Sequence, residues 1–73
     1  MSMTLKALRT NAGLNQRTAA AKMGVTPETL SSWERAITFP NAPQISKIEK
    51  LYNVGFDDIN FFIHDVDLND KEM

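Results

Sequence analysis

The sequence has no cysteine, so neither a disulfide framework nor a thiolate metal site can be built from it. Its single histidine, His64, stands without a cysteine or a serine motif, which rules out a zinc site and a catalytic triad alike. No apolar run approaches the roughly 20 residues that cross a bilayer. The first ten residues, "MSMTLKALRT", lack a continuous hydrophobic segment of signal-peptide type. The expectation is a cytoplasmic protein with no membrane partner, no cofactor, no metal, no catalytic residues and no small-molecule substrate. At 73 residues the chain makes one domain, near the lower limit for a core that holds without staples.

A strong charge of one sign is also lacking, since the net charge is −1. The average hides an asymmetry. Residues 1–50 carry seven Lys/Arg against three acids, a balance of +4. Residues 51–73 carry one lysine against six acids, a balance of −5. A basic body with an acidic tail fits contact with nucleic acid through part of the surface, and fits an ordinary solvated surface as well.

What the chain does have is helical periodicity, interrupted by three glycines and three prolines. Thr4 to Ala12 reads as a first helix, with Leu5 and Leu8 inward and Gly13 as its left-handed stop. Asn15 is a good N-cap for a second helix through "QRTAAAKM", which ends at Gly24. Thr26 can cap a third, with Pro27 where a missing N–H is harmless and Glu28 at the positive end of the dipole. After "AITFPNAPQ", Asn41 and Gln44 have the spacing of a capping box for a fourth helix. Ile45, Ile48, Leu51 and Tyr52 form its stripe, Lys47 and Lys50 point away from it, and Asn53 ends it. A fifth helix is expected from Phe56-Asp57-Asp58, with Ile59, Phe62, Ile63 and Val66 at helical spacing. The expected domain is 1–66, with 67–73 a polar, acidic, frayed tail.

Two competing signals resolve plainly. Asp57-Asp58 reads as a helix start before it reads as an acid–base pair. "DVDLND" imitates the start of a calcium loop, but its sixth place is Asp70 and the chain ends before the glutamate such a loop requires.

The meaningful unit is the pair of helices joined by Gly24-Val25, the pattern of a helix-turn-helix. Ala20, Val25, Leu30 and Trp33 have the spacing to pack the two helices together. In the third helix Leu30 and Trp33 then face inward, and Pro27, Glu28, Ser31, Ser32 and Arg35 face out. The pieces "LKALRTNAGLNQ", "AAAKMGVTPETLSSWE", Pro40 and "ISKIEKLYNVGFDDI" resemble the phage repressor and Cro type of helix-turn-helix domain, the Xre-like group, over residues 4 to 63.

The resemblance implies an all-α, compact five-helix repressor-like domain whose third helix enters the major groove of double-stranded operator DNA. It implies a homodimer on paired half-sites, in the cytoplasm of a bacterial host cell. By position, Asn15, Gln16 and Arg17 would meet phosphate, as would Asn41 and Gln44. Pro27, Glu28, Ser31 and Ser32 would line the base edges. Arg9 and Glu34 match an internal ion pair and take a structural role.

The sequence departs from the family pattern after the third helix. A glycine and basic residues are usual there; Ala36-Ile37-Thr38-Phe39 stand in their place. No Gln, Asn or Arg precedes Arg35 on the reading face. Phe61 and Phe62 cannot both face one helical stripe, so Phe61 is expected near the surface, forming an apolar patch with Ile37 and Phe39. The alternative to an operator-binding regulator is therefore an antirepressor or modulator. It would use Ile37, Phe39 and Phe61 as a protein interface, with Glu28 and its neighbours meeting another repressor's basic surface. An antitoxin is a third, minor reading, for which the tail is short.

Overall fold

The computed structural model describes residues 2–61. Four helices occur among them: α1 (Leu5–Asn11), α2 (Gln16–Met23), α3 (Pro27–Glu34) and α4 (Ala42–Tyr52). They are framed by β1 (Met3–Thr4) and β2 (Ile59–Asn60), which pair in parallel with Met3 opposite Ile59 and Thr4 opposite Asn60. A single 3-10 turn, Phe56–Asp58, precedes β2.

Each helix starts where a side-chain oxygen can accept from an orphan N–H. Thr4 accepts from Ala7, Asn15 from Thr18, Thr26 from Thr29, and Asn41 from Gln44. The Asn41–Gln44 box is closed in both directions, at 2.9 and 2.8 Å. The stops are equally local. Gly13 and Gly24 have φ of 74° and 77°, and Asn53 ends α4 at 57°. At Gly24 the backbone closes with Gly24 N–H to Ala21 O and Val25 N–H to Ala20 O, the paired bonds of a Schellman turn. That turn sets α3 across α2.

The core joins all four helices: Leu5 and Leu8, Ala19, Ala20 and Met23, Leu30 and Trp33, and Ile48. Alanines at 19 and 20 let α3 approach α2 closely, and Val25, Ile45, Leu51 and Tyr52 pack around the margin. The all-α class holds. The expected fifth helix is not found among the described residues, because the chain after Asp58 runs extended and pairs with the N-terminus. In a strand, residues two apart share a face, whereas in a helix they would lie about 200° apart. Ile59 and Phe61 consequently both turn into the core, and Phe61 is only 8 % exposed. Its ring lies 5.9 Å from that of Phe56, which is the half-exposed member of the pair. The expectation of a surface Phe61 is thereby corrected. Phe62, Ile63, His64, Val66, the "DVDLND" segment and the 67–73 tail lie outside the described residues.

Candidate nucleic-acid interface

The outward face of α3 exists because its underside is fixed. Leu30 is fully buried and Trp33 is 3 % exposed, and both are held against α2 and the core. At 100° per residue, Glu28, Ser31 and Ser32 then share the opposite face. Glu28 is exposed, and Pro27, Ser31 and Ser32 are half-buried. Thr26 holds the start of the helix twice, accepting from Thr29 N–H at 3.1 Å and sharing a hydroxyl contact with Thr29 at 2.9 Å. Glu28 in the first turn complements the helix dipole.

The far end of α3 is tied down by charge. Arg9 Nε and Nη2 donate to Glu34 Oε2 and Oε1 at 2.7 and 3.2 Å, a two-pronged pair between α1 and α3. Both side chains are almost wholly buried. Arg9 Nη1 also donates to Leu14 O at 3.1 Å, and Gln16 Nε2 donates to Glu34 Oε1 at 3.0 Å. The Glu34 carboxylate thus ties α1 and the start of α2 to the end of α3, and the Arg9 guanidinium ties in the loop before α2. The hydrogen bond to Glu34 holds the Arg9 guanidinium above its ordinary pKa.

Nothing in the sequence pattern pointed to Tyr52 as a neighbour of this cluster. Burial pushes its phenol up to about 12, with the Glu34 charge adding to the shift. Among the described residues its hydroxyl has no hydrogen-bond partner.

The amide side chains around α3 share one property. Asn15, Asn41 and Gln44 each commit the carbonyl oxygen to a backbone N–H at a helix start. Their NH2 groups make no hydrogen bond to any described residue, so each keeps donors suited to an anion. Gln16 is placed differently. One of its N–H groups is engaged by Glu34, which orients the amide beside exposed Asn15 and Arg17.

The loop after α3 turns on a left-handed alanine. Ala36 sits at φ 61°, in the left-handed region that glycine adopts most easily. Ala36 N–H bonds to Trp33 O at 3.1 Å and Ile37 N–H to Ser32 O at 2.9 Å, a second Schellman turn. Such turns usually cover the residue at Ile37's place with an apolar partner one turn back on the helix. Here the helix offers Ser31 and Ser32 instead. Ile37 is therefore 59 % exposed beside the polar face, and Phe39 is 50 % exposed further along the loop.

Among the described residues no helix is long and apolar enough to cross a membrane, and no metal-binding cluster occurs. A family model described as helix-turn-helix matches residues 5–59, three-quarters of the chain. No curated protein and no solved structure matches.

Proposed function

The chain belongs to the Xre-like helix-turn-helix family, as in phage repressors and Cro, and on that premise we propose that it is a phage-type transcriptional regulator reading operator DNA with α3. The DNA-binding regulatory role follows from the family. The operator-reading role of particular side chains rests on one observation. The α3 face carrying Glu28, Ser31 and Ser32 is held outward by buried Leu30 and Trp33 and by the Arg9–Glu34–Gln16 cluster.

In this reading Gln16, Asn15 and Arg17 meet one phosphate strand, and Asn41 and Gln44 meet the other with their uncommitted NH2 groups. Glu28 accepts from a cytosine amino group, the serine hydroxyls pair with either donors or acceptors, and Pro27 packs on a thymine methyl. Two protomers occupy half-sites about 34 Å apart, and occupancy blocks or redirects polymerase. Most of these phosphate contacts are uncharged, so they displace few counterions and binding is modest.

The test is fluorescence anisotropy at low salt, with duplexes from the protein's own locus against random sequence. Preferential binding of a locus fragment, with Ser32→Ala shifting base preference, is expected. Equal binding of all duplexes would refute the reading.

A modulator that grips another repressor is the second reading, favoured by the exposure of Ile37 directly beside Ser32. It expects a complex with the neighbouring regulator on size exclusion that Ile37→Asp abolishes. A mixture that elutes as separate components would remove it.

A further inference from the structure

The strongest unassigned feature is a group of lysines away from the α3 face. Lys22, in the last turn of α2, and Lys47 and Lys50 of α4 line a shallow concavity of about 340 Å³, with Leu51 as its apolar wall. The two α4 lysines are three residues apart and so share one side of the helix. All three are exposed, and none makes an ion pair or hydrogen bond with a described residue. Lys22 and Lys50 complement the negative ends of their own helices, which accounts for one lysine per helix. It does not account for Lys47, in the middle of α4, nor for three like charges drawn around one hollow with no ion pair to any described residue.

The position of Lys47 locates the hollow relative to the reading helix. Its Nζ lies 3.2 Å from where a Cβ on Gly24 would be, so the ammonium rests over the α2–α3 turn. Gly24 is two residues from Thr26, the N-cap of α3. Successive Cα atoms are about 3.8 Å apart, which puts that ammonium within roughly 12 Å of the start of α3. A major groove is about 12 Å wide, so a helix seated in one has a phosphate strand within that distance on either side.

We propose that Lys22, Lys47 and Lys50 form a phosphate-binding groove that takes the DNA backbone flanking the site where α3 inserts. This rests on the reading of α3 as a DNA-binding helix. It supplies the charge neutralisation that the α3–α4 connection, with Ala36, Ile37 and Phe39 in place of glycine and basic residues, does not. Positive charge is thus set on the α2–α4 side of the reading helix instead of on the loop that follows it.

The experiment compares the salt dependence of binding to a labelled random-sequence duplex for the wild type, Lys22→Gln/Lys47→Gln/Lys50→Gln, and, as a control, Lys6→Gln at an exposed position of α1. Each neutralised phosphate contributes about 0.9 to the slope of log Kd against log salt, so the triple variant should lose between 2 and 3 in slope per bound protomer. Between 50 and 200 mM salt the wild type should accordingly weaken by roughly 40-fold more than the variant. Lys6→Gln should change the slope by much less than one of the three groove lysines does. Circular dichroism establishes that each variant is folded. A wild type that binds DNA with a slope the triple variant shares would overturn this groove alone, leaving the α3 reading intact. A wild type that binds no duplex at 50 mM salt would overturn both.

Discussion

Arg9→Met should be among the most damaging single changes in this domain, and the structure says why. The substitution keeps the length and apolar stem of the side chain but removes the guanidinium, leaving the Glu34 carboxylate, 4 % exposed, with only the Gln16 amide as donor. Stranding a buried charge costs about 3–5 kcal/mol. A chain of this length has a total stability of about 4–11 kcal/mol, so the loss takes much of it. Urea unfolding followed by the fluorescence of buried Trp33 is the assay, since the indole passes from 3 % exposure to water. With a slope of about 1 kcal/mol per molar urea, the midpoint should fall by roughly 3 M or more. Replacing both partners, as Arg9→Met/Glu34→Leu, removes the unpaired charge and should recover most of the stability, because apolar substitutes for a buried pair are often neutral. The reasoning is refuted if Arg9→Met costs less than about 1 kcal/mol, or if the double variant is no more stable than either single one.

Two further outcomes are expected. Ala36→Gly relieves a left-handed backbone worth about 1–2 kcal/mol against a glycine entropy cost of about 0.5–1, so the Tm should rise by a few degrees. A lower Tm in a thermal melt would count against a strained Ala36. The raised Tyr52 pKa favours the protonated phenol in the folded state, so its contribution is intact below pH 10 and is lost as pH rises toward about 12. Tyr52→Phe should flatten that alkaline fall by about 1–2 kcal/mol and leave neutral-pH stability unchanged or slightly higher. Parallel stability curves for the two proteins between pH 9 and 12 would contradict it.

The helix-turn-helix and its family were legible because both are written in local signals. Thr4, Asn15, Thr26 and the Asn41–Gln44 box each act over three residues, the stops at Gly13, Gly24 and Asn53 act over three to five, and a short-range hydrogen bond needs no knowledge of the rest of the chain. The inward positions of Leu30 and Trp33 follow from helical period in the same way. The described start of the C-terminal segment departs from a helix for the converse reason. Ile59, Phe62, Ile63 and Val66 satisfy a helical period, but Ile59–Asn60 is a strand because Met3–Thr4, more than fifty residues earlier, supplies its partner. Phe61, two residues after Ile59, is turned inward by that extended run, with the Phe56 ring beside it.

The candidate site divides along the same line. Sequence alone decided which residues cap, which turn and which face of α3 is polar, because those outcomes depend on dihedral preference and spacing within a few residues. Only the packed chain decided that Gln16 donates to Glu34, that the buried Tyr52 phenol feels the Glu34 charge, and that lysines from α2 and α4 ring one hollow. Each of these joins groups through space, and the direction in which a surface side chain finds its neighbour is set by how helices cross, which no local pattern encodes.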